Sequence, residues 1–418
     1  MYEFLLTHKL LTGLIGLLLS VTVGAALGGR GLGLRSMAYG FGPMLALAFY
    51  VALLFADSPP NLVDLLSVIT FELVVFVMYL MLLRRLLACV REIPVDEVNR
   101  SLKISVVLQI VFAVPIVASG GFGIFSEGAR IEYIYAGSLP KYFTYAGLMV
   151  ATTQAALLAS RITHTGGIGW PGALALLMNL GLSVAAGSKG GAFLWMFSVA
   201  ALVDYRRARI PKTLQLLVAV GGAGALVVSS IIIADFIGIT TEQFTDLALS
   251  RFFLNNDARS LAFDLRSQVT AETGLLSESF RSLGNLFGSP PRNDPLGVLL
   301  YAQRLGVTNG SGANASLMAL VTFYSTPGYA TIPALFGSLA VGGLAWLFFH
   351  CARAMRHRAN QGAVLTLGLI AVVMFSQDFL AFQVVMPLAI VTIAVMAMLD
   401  QRHDRSSRIH SKHVQPAA

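Results

Sequence analysis

Residues 62–83 read LVDLLSVITFELVVFVMYLMLL, an apolar run that contains only two acids, Asp64 and Glu72. A run of this length is sufficient to cross the hydrocarbon core of a bilayer as one helix. The residues before it, 57–61, are DSPPN, a composition typical of a tight turn. The residues after it include Arg84, Arg85, Arg91, Arg100 and Lys103. By the positive-inside rule, this stretch predicts a membrane-spanning helix whose C-terminal end lies in the cytoplasm.

The composition of the whole chain agrees with this interpretation. Of its 418 residues, 56% are hydrophobic and only 12% are charged, and the mean hydropathy is +0.74. A soluble protein carries about 25% charged residues. The apolar runs are continuous and lack the period-two alternation of a membrane β-barrel. The two cysteines, Cys89 and Cys351, are too few for a disulfide framework or a cysteine metal site, and the net charge of +8 is explained by membrane topology without nucleic acid.

Similar runs predict an all-α, polytopic membrane protein of about 11 transmembrane helices with one large extracytoplasmic loop. The N-terminus lies outside and the C-terminus inside, and the first helix is retained. We expect helices 1–8 within residues 1–234, the large loop at 235–312, C-terminal transmembrane helices within 313–399 and a basic cytoplasmic tail at 400–418. The other spans are expected at about 10–27, 37–56, 103–120, 142–160, 169–186, 191–204, 213–234 and 329–349, with two more in 363–399 that meet near residues 377–378. Residues 315–326 are expected to lie in the membrane interface or to be re-entrant.

The loop at 235–312 is the one long polar stretch, and its basic residues are six arginines without lysine or histidine. Arg251, Arg259 and Arg266 are spaced eight and seven apart, which puts them on one face of a helix. We expect that helix to lie along the outer membrane surface and to present a row of guanidinium groups, which suit bidentate contact with phosphate. The alternative is that these arginines pair with the acids of the same loop in a solvated network.

Two further features lie on the predicted outer side. Lys189 occupies a glycine-flanked helical turn, GSKGG at 187–191, where free N–H groups and the lysine make an anion site. The alternative is a lysine that reaches lipid headgroups. Arg304 precedes a stretch rich in small polar residues, 308–316, which is either a sugar-binding segment or a flexible connection. Asp378, where the last two spans meet, is either a helix-end residue or part of the site.

These features resemble the Wzy-type O-antigen and exopolysaccharide polymerases over roughly residues 140–350. The resemblance rests on the span number with one late external loop and on three local features: GSKGG at 187–191, the arginine-bearing segment that begins with SRFF at 250–253, and the stretch 310–316 followed by Tyr324 and Pro327-Gly328. It implies a GT-C-like membrane fold in the bacterial inner membrane. It also implies metal-independent glycosyl transfer without a cofactor, in which lipid-linked repeat units are joined and undecaprenyl pyrophosphate is released.

On this resemblance, the substrate is an undecaprenyl-pyrophosphate-linked oligosaccharide held among membrane lipids, and the partners are a chain-length regulator and a flippase. Arginines and a lysine would neutralise the leaving group, and a carboxylate would deprotonate the attacking hydroxyl. Asp257 is the expected base, and Arg251 is expected to be catalytic as well. Pyrophosphate contact is expected from Lys189, Arg251, Arg259, Arg266 and Arg304.

Two other functions compete with the polymerase. An O-antigen ligase shares the architecture and donor, but we would expect a histidine in its large loop, and none is present. A flippase or secondary transporter would carry polar residues within its spans, and Glu72 is the main residue of this kind. No His, Cys, Asp and Glu cluster has metal-ligand spacing, so no metal is expected.

Overall fold

A computed structural model describes residues 9–28, 32, 35, 41–56, 61–118, 139–185, 191–204, 207–208, 257–266, 275–281, 296–305, 316–324 and 328–412. Within these ranges every regular element is a helix, which confirms the all-α class. Five helical segments are long and apolar enough to cross a membrane: Leu11–Gly28, Leu62–Val90, Thr331–Ala354, Arg358–Gln377 and Ala381–Met398. The fold is therefore compatible with a membrane protein, whereas the total of about 11 spans stays a prediction.

Ten of the described helices form what we call the bundle. In chain order they are α1 (Lys9–Gly28), α2 (Phe41–Ala52, extended by a 3-10 turn at Leu53–Phe55), α3 (Leu62–Val90), α4 (Val95–Ala118), α5 (Leu139–Thr165), α6 (Gly169–Ala185), α7 (Gly191–Leu202), α12 (Thr331–Ala354), α13 (Arg358–Gln377) and α14 (Phe379–Lys412). The predicted span at 213–234 lies outside the described residues.

Four shorter helices, which we call the loop unit, lie between α7 and α12 in the chain. They are α8 (Asp257–Leu265), α9 (Leu275–Ser279), α10 (Leu296–Leu305) and α11 (Leu317–Tyr324). Their apolar side chains form a small core of their own, which contains Leu261, Leu296, Leu320 and Phe323. Six consecutive residues of α11, from Met318 to Phe323, are buried. The helix in 315–326 is thus enclosed by protein and does not lie flat on a surface.

Helices α3, α12 and α13 pack against one another, and α13 is the most buried of the five long apolar helices. The Asp64 carboxylate in the first turn of α3 accepts the amides of Gly328 and Ala330, which lead into α12, and we call this end of the bundle the loop face. At the other end, Cys89 near the end of α3 donates a hydrogen bond to the Arg358 carbonyl oxygen at the start of α13, with 3.2 Å from Sγ to oxygen. We call that end the basic face, because Arg91 and Arg358 lie there beside Asp204 and Glu92.

The ends of α3 and α4 differ from the sequence prediction. Hydropathy ended the third span at 83 and began the fourth at 103, but α3 continues to Val90 and α4 begins at Val95. The arginines that end the apolar run are part of the helix. Arg84 donates a hydrogen bond to the Leu27 carbonyl oxygen at 2.8 Å, and the Arg85 guanidinium lies 5.0 Å from the centre of the Phe349 ring.

The boundary between the last two helices was predicted correctly. Helix α13 ends at Gln377, and the Asp378 carboxylate accepts a hydrogen bond from the Ala381 amide at 2.9 Å. Asp378 therefore caps the start of α14, in keeping with its helix-end interpretation. Helix α14 continues to Lys412, so residues 400–412 of the basic tail are helical.

A neutral polar cluster joins α4, α5 and α6. The side chains of Gln109, Gln154 and Asn179 are buried and form a closed ring of three hydrogen bonds, with donor–acceptor distances of 2.7–3.0 Å. Asn179 also donates to the Ala175 carbonyl oxygen of its own helix. We call this cluster the amide ring. Interhelical amide hydrogen bonds of this kind hold helices together in an apolar environment.

Candidate functional site

The loop unit meets the bundle at Arg259, a residue of α8 whose side chain is 1% exposed. Its Nη2 atom lies 2.9 Å from Oε1 of Glu72 in α3, and the carboxylate is fully buried. Its Nε donates to Ser316 Oγ at 3.0 Å, and Nη2 donates to the Ser376 carbonyl oxygen at 2.8 Å. One guanidinium thus links α8 with α3, α13 and the residue that precedes α11. We call the group the buried ion-pair cluster.

The bonds of Ser316 show how the sequence builds this arrangement locally. Ser316 Oγ also accepts the Ala319 amide at 3.1 Å, so it is the N-cap of α11. A serine at this position satisfies one free amide of the first turn and presents its oxygen to Arg259 at the same time. The start of α11 is therefore fixed to α8 by a single side chain.

The cluster contains hydroxyl groups that make no hydrogen bond with any described residue. The Tyr50 ring centre lies 5.9 Å from Arg259 Cζ, and its Oη is buried without a partner. The Ser376 Oγ is buried in the same state. Buried polar groups without protein partners are commonly satisfied by water when the site is polar and roomy enough. The cluster therefore contains neutral polar groups in addition to the ion pair.

Nearer the loop face, Asp64 in the first turn of α3 fixes the start of α12. Its two carboxylate oxygens accept the amides of Gly328 and Ala330 at 2.8 and 3.0 Å. Gly328 has φ of +90°, a conformation that favours glycine and allows the tight approach to α12. Ser67 and Thr331 add a hydroxyl contact of 2.8 Å between the same two helices.

Arg266 follows the last residue of α8 and lies within electrostatic range of Asp64. Among the described residues, no ion pair joins the two, and Arg266 Nη2 is buried without a hydrogen-bond acceptor. Partial burial lowers the pKa of this guanidinium, and the Asp64 carboxylate acts in the opposite direction. A guanidinium keeps its charge at any working pH, so Arg266 is a cation with donor capacity to spare.

A second ion pair stays within the loop unit. Arg281 Nη2 lies 2.7 Å from Glu278 Oε2, and Glu278 Oε1 accepts the amide of Leu296 at 2.9 Å. Glu278 therefore ties α9 to the start of α10. This pair joins a loop arginine to a loop acid, as in the alternative prediction, but it is buried and not solvated. Arg259 instead takes its acid from the bundle.

The predicted row of open guanidinium groups is wrong at Arg259, which is enclosed and paired. A buried carboxylate of α3 draws this arginine toward the bundle. The position of α8 relative to the membrane surface stays a prediction. The structure places Arg266 near α3. It describes only the backbone of Asp257 and Arg304, at the first residue of α8 and near the end of α10. Lys189 and Arg251 lie outside the described residues.

The pairing of these arginines with the two acids of α3 was not predicted. Asp64 and Glu72 are separated along α3 by about 12 Å, and Arg259 and Arg266 by about 10 Å along a helix. This match in spacing is the signal that would have suggested the pairing of the two segments. Contact with pyrophosphate, by Arg259 or by any other residue named for it, stays a prediction.

Comparison of the chain with known protein families, with curated proteins and with solved structures finds no match. Among the described residues, no group of three or more His, Cys, Asp and Glu side chains could hold a metal ion.

Proposed function

We propose that the protein is a membrane glycosyltransferase that polymerises lipid-linked oligosaccharide repeat units at the outer face of the bacterial inner membrane. The observation that carries the proposal is Arg266, a cation at the loop face with a buried N–H donor that lacks an acceptor among the described residues. A phosphate oxygen is the natural partner of such a group. The pyrophosphate of a lipid-linked glycan would approach from the membrane, where the loop unit meets the bundle.

The distribution of arginines supports an external position for the proposed site. Arginines 84, 85, 91, 353 and 358 lie toward the basic face, and cytoplasmic segments are enriched in such residues. The loop face would then be external, with the N-terminus outside and the C-terminus inside. Nucleotide sugars and ATP are cytoplasmic, so a donor carried by a lipid fits an external site.

The proposed reaction is a displacement at the anomeric carbon of the growing glycan. A hydroxyl oxygen of the acceptor repeat unit forms the new glycosidic bond, and the bond from the anomeric carbon to the pyrophosphate oxygen breaks. The hydroxyl proton passes to a carboxylate, for which Asp257 is the candidate, and undecaprenyl pyrophosphate leaves. Arg266, with Arg251, Arg304 and Lys189, would stabilise the charge that develops on the leaving group.

Arg266→Ala should abolish long-chain polysaccharide while protein abundance is unchanged, because the leaving group would lose a charge partner. Glycan from cells with this variant would be resolved by length on a gel, beside Gln303→Ala as a control at an exposed position of α10. Lys189→Ala and Arg251→Ala should also lose long chains. Chains of normal length in the Arg266 variant would contradict the pyrophosphate role.

A lipid-linked oligosaccharide flippase or transporter is the second candidate. The buried ion pair between Glu72 and Arg259 favours it, because ionisable residues within membrane proteins often mark transport paths. Deletion of the gene separates the candidates by the lipid-linked glycan that accumulates. Single repeat units at the outer face are expected for a polymerase, units at the cytoplasmic face for a flippase, and finished polymer for a ligase.

A further inference from the structure

Helix α8 joins the rest of the protein through two different surfaces. One surface is apolar, where Leu261, Ala262 and Leu265 pack against α10 and α11 within the loop unit. The other reaches the bundle through Arg259 and through Phe263, whose ring lies 6.5 Å from that of Tyr50. The strongest contact with the bundle is thus a single charged side chain.

Glu72 lies deep in the bundle, and its contact with Arg259 therefore matters for how α8 is held. Glu72 lies about 15 Å along α3 from Leu62, at 1.5 Å per residue, so Arg259 reaches well inside the bundle. Among the described residues, Arg259 is the only cation within ion-pair distance of Glu72. Removal of either partner leaves a buried charge uncompensated, whereas removal of both does not.

The register of the two segments connects this pair with Arg266. Arg259 lies opposite Glu72, and Arg266 lies near Asp64, which is closer to the loop face. The order of the two arginines along the chain is therefore the reverse of the order of the two acids that they approach. If Arg259 leaves Glu72, Arg266 loses its place beside α3.

We propose that the Glu72–Arg259 ion pair is a latch that seats α8 in the bundle, and that Arg259 is a positioning residue for Arg266. The seating of α8 stands on the geometry alone, whereas the role of Arg266 as the ligand of a lipid-linked phosphate rests on the proposed function. Arg259 then contributes to substrate binding through Arg266 and does not contact substrate itself.

Cysteine labelling of the full-length protein in lipid nanodiscs tests the latch, since both membrane faces are then open to a charged maleimide. Cys89 and Cys351 are replaced by alanine, and Ala262→Cys introduces a thiol at a fully buried position, which we call the buried probe. Ser277→Cys, at an exposed position of α9, is the exposed probe and gives the rate for an open site. In the parent protein, the buried probe should react far more slowly than the exposed probe.

Arg259→Met should raise the labelling rate of the buried probe by about a hundredfold, because Glu72 is left without a cation. The double variant Glu72→Met/Arg259→Met should return the rate toward the parent value. Arg91→Met is the matched control, since Arg91 pairs with Asp204 on the basic face and its side chain is 42% exposed. It should leave the rate unchanged.

Three results would overturn the latch: fast labelling of the buried probe in the parent, an unchanged rate in Arg259→Met, or an equal increase in Arg91→Met. If Arg259→Met does not fold, the double variant decides. A folded double variant with a protected probe supports the latch, and a double variant that also fails to fold contradicts it.

Polysaccharide formation separates positioning from substrate contact. The double variant should regain the long chains that Arg259→Met loses, because a seated α8 returns Arg266 to its position beside α3. If Arg259 itself contacted the substrate, the double variant would still lack that contact and would not regain long chains. Arg266→Ala should lose long chains while the buried probe stays protected. Normal chains with a protected probe in that variant would contradict the proposed function and leave the latch intact.

Discussion

Two polar clusters lie within the apolar helices, and they differ in charge and in what they connect. The amide ring joins three neighbouring bundle helices through neutral side chains, and each of the three makes hydrogen bonds with the other two. The buried ion-pair cluster joins the bundle to the loop unit through Glu72 and Arg259. Its hydroxyl groups at Tyr50 and Ser376 lack partners among the described residues.

The difference separates a structural contact from a candidate for function. A closed ring of neutral amides stabilises helix packing at low electrostatic cost, and it leaves little capacity for a ligand. A buried charge pair is costly to maintain and is weak evidence for stability alone. It lies between the bundle and the arginine-bearing loop unit, so its removal should change the position of α8.

The largest expected effect is at the ion pair. Arg259→Met should lower the free energy of unfolding by about 3–5 kcal/mol, because the Glu72 carboxylate would be buried without a partner. Chemical denaturation in detergent measures the change. Arg91→Met is the matched control and should cost about 1 kcal/mol or less, because Arg91 is partly exposed and Asp204 keeps Arg35 at 3.9 Å. Equal losses in the two variants would remove the distinction between them.

A smaller effect is expected at the amide ring. Asn179→Leu should cost about 1–2 kcal/mol, since it leaves a donor of Gln109 and an acceptor of Gln154 unpaired. The same denaturation experiment gives the value. The triple leucine variant at 109, 154 and 179 should lose less than the sum of the single changes, because it leaves no unpaired group. Additive losses would mean that the three amides do not act as one ring.

The smallest effect is expected for Tyr50→Phe. The Tyr50 hydroxyl has no hydrogen-bond partner among the described residues, so its removal should change the free energy of unfolding by less than about 0.5 kcal/mol. Gln109→Leu in the amide ring is the comparison, because it removes a group with partners. A loss above about 1 kcal/mol in Tyr50→Phe would indicate a bound water in the ion-pair cluster.

Hydropathy and charge predicted the helical class, the apolar segments of α3 and α12, and the junction at Gln377 and Asp378. They misplaced the ends of α3 and α4, because helices continue past the membrane-like region when their arginines find carbonyl or aromatic partners. A hydropathy pattern reports where apolar residues stop, and it does not report where backbone hydrogen bonding stops.

The candidate site was predicted in part. Helical spacing predicted Arg251, Arg259 and Arg266 on one face of a helix, whereas α8 ends at Leu265, so Arg266 follows it and Arg251 lies outside the described residues. Glu72 was recognised as an unusual residue within a span. The pairing of Glu72 with Arg259 was missed because the two segments are far apart in sequence, and a local pattern carries no information on which distant segment it will meet. The direction of the Arg259 side chain depends on the packing of α8 against α3 and not on the residues next to Arg259 in the sequence.

The most direct test of the ion pair is a double-mutant cycle on Glu72 and Arg259. Unfolding free energies would be measured for the parent, Glu72→Met, Arg259→Met and the double variant in detergent. We predict that the double variant is more stable than either single variant, with a coupling energy of at least about 2 kcal/mol. Single losses that add in the double variant, with no coupling, would contradict the account.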